Sequence, residues 1–216
     1  MALAEASALA PGIRGAIGNA VFVRSPYGTQ IRSRPDPANP RTPAQVAARE
    51  RMQKAGYAWR SMTLEQAQNW RNYAAAQNPA GPNARACAQQ IFTQLAVRFL
   101  QVNPHDPVPL NPPSSPFLGD AVTPQVEGTA SGIRVTADRP NTLGTVTEIL
   151  LQPLESIHRR TYESKYRSAK IDDFSGSLEA EFGVLSPAVG VAVRFIRSGT
   201  GQATELFELG VVLVLG

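Results

Sequence analysis

The chain has 216 residues and a formal net charge of +4, with 43% hydrophobic and 18% charged residues. That apolar content supports a packed core and excludes a wholly disordered chain. A single cysteine, Cys87, excludes an intrachain disulfide and a cysteine-based zinc cluster, and His105 and His158 are the only histidines. The longest apolar run, Leu209–Leu215, is far short of the roughly 20 residues that span a bilayer as a helix. The opening MALAEASALAPG lacks a basic leading region, which argues against a signal peptide.

The charge is unevenly placed. Residues 1–103 hold 12 basic and 4 acidic side chains, net +8, whereas residues 104–216 hold 9 and 13, net −4. Lys54 is the only lysine of the basic half. Arginine presents a planar fork suited to carboxylates as well as phosphates, so this half suits a protein interface at least as well as a nucleic acid.

Taken in chain order, residues 1–12 are alanine-rich and able to form helix up to the stop at Pro11-Gly12. Residues 13–34 read as a β-hairpin: Val21 and Val23 alternate with Phe22 and Arg24, Ser25-Pro26-Tyr27-Gly28 turns, and Gln30 to Arg34 returns. A lone ribbon of two strands is marginal in water and needs a surface to lie on. Prolines 35, 37, 40 and 43 then impose an extended strap. Residues 1–42 thus form an extended basic arm. Its candidate partner-binding side chains are Arg14, Phe22, Arg24, Tyr27, Arg32, Arg34 and Arg41. An ordered linker with no partner accounts for the strap equally well.

Residues 43–103 read as a helical domain. Thr42-Pro43 caps and starts a first helix whose apolar stripe is Val46/Ala47, Met52, Ala55 and Trp59. Thr63 and Gln66 form a capping box for a second helix, with Leu64, Ala67, Trp70 and Ala74 on one face. A third helix, from about Asn83 to Val102, places Cys87, Ala88, Ile91, Phe92, Leu95, Phe99 and Leu100 on a broad apolar face. Trp59, Trp70, Phe92 and Phe99 are the expected helix core, and Cys87 reads as a small buried hydrophobe. The proline-broken loop 78–83 is too long for a helix-turn-helix, and no recognition helix follows it.

Six prolines between 104 and 116 mark a semi-rigid linker. Beyond it, seven extended segments fill residues 117–216: Ala121–Gly128, Ile133–Ala137, Thr145–Gln152, Ile157–Ser168, Leu178–Phe182, Val189–Phe195 and Ala203–Leu215. Turn residues separate them at 138–141, 172–173 and 198–201. That count in about 100 residues is the signature of an immunoglobulin-like or fibronectin type III sandwich. The absence of a Cys…Trp…Cys set excludes a true immunoglobulin domain. The expected fold class is α+β, with an arm, three short helices and a β-sandwich.

No catalytic, cofactor or metal site is expected. There is no G-x-S-x-G, P-loop, G-x-G-x-x-G or EF-hand loop. His158, beside Arg159 and Arg160, reads as a surface residue, His105 lies in the proline segment, and Glu179 and Glu181 share one solvated strand face. Asp172-Asp173 reads as a turn rather than an acid pair.

Gly15–Gln45 reads G-A-I-G-N-A-V-F-V-R-S-P-Y-G-T-Q-I-R-S-R-P-D-P-A-N-P-R-T-P-A-Q. It resembles the opening of a group of phage and prophage proteins marked by G-x-x-G-N-x-V, R-S-R and N-P-R-T-x-A-Q. In those proteins a helical segment follows, with a tryptophan and an L-T-x-E-Q-like cap. Here that cap is Met62-Thr63-Leu64-Glu65-Gln66, with Met in place of the first Leu. The resemblance covers about the first 75 residues, while the final strands look like the last hairpin of a fibronectin type III module. The resemblance implies a virion or prophage structural protein, and the missing catalytic motifs add the expectation that it is not an enzyme. The expected role is a capsid cement or decoration protein, homo-oligomeric or in many copies on the particle, that clamps the major capsid protein or other virion subunits with its arm. A tail, neck or baseplate position is the nearest variant. A nucleic-acid-binding protein and a host-surface adhesin are the alternatives of other classes. The first is disfavoured because the aromatic and basic residues are not interleaved as in single-strand binders.

Overall fold

A computed structural model of the chain describes residues 2–4, 15–25, 28–34, 39–77 and 87–214, and every sheet among them is antiparallel. The architecture is mixed α+β, and the chain divides into two units, Met1–Gln45 and Val46–Gly216.

The first unit is a four-stranded sheet in the order β1-β4-β3-β2, where β1 is Ala2–Ala4, β2 Gly15–Ile17, β3 Ala20–Ser25 and β4 Gly28–Ser33. The expected hairpin is present, with Ser25 opposite Gly28 across residues 26–27. A second tight turn joins β2 to β3: Ile17 pairs with Ala20, and Gly18, at φ +57°, supplies the left-handed backbone such hairpins use. Residues 1–12 are capable of helix by composition, but Ala2–Ala4 pairs as a strand with Thr29–Ile31. A run halted at Pro11-Gly12 is too short to be stable as an isolated helix, and alanine's helical preference is worth only tenths of a kcal/mol per residue. Ladder hydrogen bonds to β4 therefore win. Residues 5–12 lie outside the described set.

Three helices follow, α1 Pro43–Arg60, whose first turn spans the boundary between the units, α2 Leu64–Gln77 and α3 Ala88–Val102. Gln45 N–H donates to Thr42 Oγ1 at 3.4 Å, the expected cap of α1. The capping box of α2 is complete: Gln66 N–H donates to Thr63 Oγ1 at 3.2 Å and Thr63 N–H to Gln66 Oε1 at 3.0 Å. Three stripe assignments fail at helix ends and outer turns. Val46 and Met52 are exposed on α1, and Leu64 is 81% exposed because it is the first residue of α2, beside its cap. Ala55, Trp70, Phe92, Leu95 and Ala96 form the helical core instead, with Trp59, Met62, Tyr73 and Val108 packed against it. Trp70 stands edge-on to Phe92, with centroids 5.1 Å apart, and Trp59 lies 5.5 Å from the same ring.

Cys87 is not buried. It is exposed at the N-cap of α3, where its N–H donates to Gln90 Oε1 at 3.0 Å. The described helix begins at Ala88 rather than near residue 83 because this cap ends it, and residues 78–86 lie outside the described set.

Packing continues through the proline-rich segment 104–116. Trp70 Nε1–H donates to Leu110 O at 2.8 Å, Val108 joins the helical core, and Gln202 Nε2 donates to Ser115 O at 2.9 Å. At residue 103 the chain changes charge and secondary structure while remaining one packed unit.

Seven strands follow: β5 Pro124–Thr129, β6 Gly132–Ala137, β7 Thr145–Leu154, β8 Arg167–Asp172, β9 Glu179–Gly183, β10 Ala188–Arg197 and β11 Phe207–Leu213. They form a four-stranded sheet, β11-β10-β7-β8, and a three-stranded sheet, β5-β6-β9. Ile133, Val135 and Ala180 of the smaller sheet share one core with Ile149, Val189, Val191 and Val193 of the larger. The fourth segment moves. A strand was expected over Ile157–Ser168, but residues 157–162 are loop, Glu163–Lys165 is a single 3-10 turn, and the strand runs from Arg167 to Asp172. That loop is tied down by Tyr162 N–H donating to Gln152 Oε1 and by Thr161 Oγ1 donating to Glu208. Asp172, expected in a turn, ends the strand, and the turn falls on Asp173–Ser175.

The strand β10 is buried on both faces. Its valines meet the smaller sheet, while Gly190 lies under the loop, where an added Cβ would come 2.7 Å from Thr161 Cγ2. The helix α3 covers the far end of the same face. Gly201 there sits at φ +73°, and a Cβ on it would lie 2.1 Å from the Leu95 carbonyl oxygen. Only glycine fits that contact.

Candidate functional site

The ribbon carries most of the residues singled out by sequence. Phe22 of β3 sits opposite Ile31 of β4, and both are half-buried. On the other face Val21 pairs with Arg32 and Val23 with Gln30; Val23 and Arg32 are exposed. Arg34 follows β4, exposed, its N–H donating to Asn19 O at 2.7 Å. Arg41 is exposed at φ +49°, a conformation costing a non-glycine residue about 1–2 kcal/mol, immediately before the helix cap. Arg24 is described only as a backbone position in β3, and Arg14 and Tyr27 lie outside the described residues. The structure thus brings Phe22 and Arg32 onto opposite faces of one ribbon. No described side chain of residues 15–45 is buried. Among its described residues this four-stranded sheet shows no buried core of the kind that ordinarily stabilises one.

The helix residues sort differently. Trp59, Trp70 and Phe92 share one aromatic cluster, whereas Phe99 is buried one helical turn beyond Leu95, beside the Gly201 turn. They are packing residues.

Sequence reasoning missed a polar network beneath α3. Glu148 of β7 is fully buried. Arg194, its cross-strand partner on β10, donates from Nε to Oε2, and Gln101 of α3 donates to Oε1 at 2.7 Å. Gln101 Nε2 also lies 3.0 Å from Ser168 Oγ on β8, so one amide ties the helix to two strands. Arg98, one turn earlier on α3, is half-buried nearby. Burial first, and then the Arg194 charge, hold its guanidinium below its ordinary range despite the attraction of Glu148. The available signal was a carboxylate inside the apolar run Thr145–Leu151, which must be paired if that run is a strand covered on both faces.

The outer face of the smaller sheet is solvated, as expected for Glu179 and Glu181. Arg134 bridges Glu127, Glu179 and Glu181 across three strands, all of them open to solvent. His105 and His158 are exposed. Asp173 accepts hydrogen bonds from the Ser175 N–H and hydroxyl, and Asp172 from the Phe174 N–H and from Lys170 in an ion pair. These are turn and ladder contacts, and they occupy both carboxylates. At one end of the sheets, the loops around 116–120, 142–145 and 197–199 surround a shallow hollow rimmed by the fully exposed Leu118 and Leu143. Among the described residues, no group of His, Cys, Asp and Glu is arranged to hold a metal ion. No helix among them is long and apolar enough to cross a membrane. No protein-family model matches the chain, and no curated protein shows significant similarity to it.

Proposed function

We propose that this is a non-enzymatic structural protein of a tailed-phage particle, a capsid cement or decoration protein whose N-terminal ribbon clamps neighbouring subunits. The observation that carries the reading is the ribbon itself: a four-stranded sheet with no buried described side chain and with Arg32, Arg34 and Arg41 exposed. Residues 1–45 hold five arginines against two acidic residues, so an acidic partner surface is the complement. The resemblance of residues 15–45 to phage and prophage proteins supplies the setting. An arm of this kind gains affinity from many contacts held in register.

We further infer that residues 117–216 are a fibronectin type III-like module. Support comes from β8, which pairs with β7 and so gives a four-stranded sheet beside the three-stranded β5-β6-β9. In the constant-type immunoglobulin arrangement the corresponding strand would extend the other sheet. Such modules serve as spacers and interaction platforms as often as they carry chemistry.

The test is binding of purified full-length protein to expanded capsids, followed by limited proteolysis. Saturable binding with protection of residues 1–42 supports the clamp. Failure to bind, or labelling of the tail alone, overturns the capsid placement.

A further inference from the structure

The polar network beneath α3 is one anion short. Two guanidinium groups, Arg98 and Arg194, surround a single carboxylate, and both oxygens of that carboxylate are spoken for: Oε1 by Gln101 and Oε2 by Arg194. Half-buried Arg98 donates no hydrogen bond to a described residue and forms no ion pair with one, which leaves its N–H groups to solvent or a ligand. It opens on a groove walled by Met52, Gln94, Val97, Gln101 and Arg194. Most of its lining is amide and guanidinium groups, those of Gln89, Gln90, Gln94, Gln101, Arg98 and Arg194, and the rest is Met52, Thr93 and Val97.

We propose that this groove is a binding site for a single carboxylate carried by a protein partner, with Arg98 as its fork and Gln94 flanking it. The charge count selects the ligand class. Two arginines and one glutamate leave a local charge of +1, which a monovalent carboxylate neutralises and a phosphate dianion overshoots. A guanidinium is weakly hydrated and pairs with a planar carboxylate through two parallel hydrogen bonds. The apolar wall at Met52 and Val97 suits the methylenes of an aspartate or glutamate side chain. In the virion reading, on which the choice of a protein partner rests, the donor is an acidic side chain of a neighbouring subunit.

The experiment follows arginine Nε–Hε signals of the full-length protein by nitrogen-15 NMR. N-acetylglutamine, whose only charge is one carboxylate, is the first probe and inorganic phosphate the second. The expected result is a saturating shift of Arg98 with a dissociation constant on the order of millimolar for the carboxylate and weaker binding of phosphate. The exposed Arg139 and Arg159 act as internal controls and show no saturation. Arg98→Gln removes the response. Gln94→Glu, an exposed change placing a carboxylate four residues before Arg98, removes it as well without touching the core. An Arg98 response no larger than that of Arg159 overturns the site, and equal or tighter phosphate binding overturns the ligand class. If capsid binding fails while Arg98 saturates, the virion reading falls and the groove stands. If capsid binding holds while Arg98 is silent, the groove falls alone.

Discussion

The chain contains two four-stranded sheets whose covers differ completely. In β1-β4-β3-β2 no described side chain is buried, and Phe22, Ile31 and Val21 are only half-covered. In β11-β10-β7-β8 the central strand β10 is buried on both faces, with the smaller sheet below it and α3 and the Thr161 loop above. Both are rich in β-branched and aromatic residues, so strand propensity does not separate them. The difference lies in what the opposite face is made of. In β10 the residues alternating with valine are Ala188, Gly190 and Ala192, small enough for a second layer to approach. In the ribbon the residues alternating with Val21 and Val23 include Phe22, and no described side chain of residues 15–45 is buried. The small residues of β10 let a second layer approach that face closely.

The sharpest way to break the covered sheet is to remove Glu148. Glu148→Ala leaves Arg194 and Arg98 without their shared counter-charge in a buried setting, and such truncations cost about 3–5 kcal/mol. The expected outcome is a fall in urea midpoint for the 46–216 unit, while a probe confined to the ribbon does not move. Trp70→Ala is of similar size, about 3–5 kcal/mol, because it empties the helical core. Trp70→Phe separates the parts. It keeps most of the ring packing and loses the indole hydrogen bond to Leu110, about 1 kcal/mol.

Gly201→Ala tests the cover at the helix. Its positive φ costs alanine about 1–2 kcal/mol, and the new methyl would displace the α3 backbone at Leu95. The sum, about 3 kcal/mol with the overpacking term, would lower the melting temperature by several degrees in a unit of this size. An unchanged melting curve would mean that α3 does not press on this turn.

Much of this architecture was legible from local signals. Thr42, Thr63 and Gln66 identified two helix starts because a cap is a contact between near neighbours, and six of the seven strands beyond residue 117 were readable because alternation needs no tertiary information. The failures were long-range. Whether Leu64 or Met52 is buried depends on where the neighbouring helix ends, and Cys87 is a cap because of Gln90, not because of its polarity. The strand expected at 157–168 failed because alternation in Ile157–Ser168 is weak, and the loop's course is decided by Gln152 and Glu208, both distant in sequence. The network at Glu148 was invisible for the same reason: nothing near it in sequence names Arg194 or Gln101 as its partners. Of the arm's candidate residues, the exposure of Arg32, Arg34 and Arg41 was legible in the sequence, because charge is a local property.

Acid sharpens the comparison further. Burial pushes the Asp120 carboxyl up, but hydrogen bonds from Asn141, Thr142 and the Ala121 N–H outweigh it and hold the group below its ordinary range. The Thr123 N–H does the same for Asp138, and the Ser175 N–H for Asp173. All three belong to loops of the 46–216 unit. A carboxylate with a depressed folded pKa contributes stability that is present above its unfolded value, about 4, and is lost as pH falls through the folded one. The unit is therefore expected to lose stability below about pH 4, and Asp120→Asn to flatten that decline. A decline unchanged in Asp120→Asn would assign it to other groups.

The smallest effect on stability falls on the ribbon, and it carries the most about function. Phe22→Ser removes a half-buried ring from a sheet with no buried described side chain, so the 46–216 unit should melt within about 0.5 kcal/mol of the parent. Arg32→Glu, on the opposite face, reverses a charge that no described acidic residue offsets, with the same small cost. If a partner supplies the missing cover, both variants lose capsid binding by tenfold or more, since about 1.4 kcal/mol of buried ring or paired charge is enough for that factor. Loss with only one variant identifies which face the partner covers. Retained binding with both would mean that the ribbon's bare faces are not the contact, and the groove at Arg98 and the loop end at Leu118 and Leu143 would be the surfaces left to carry it.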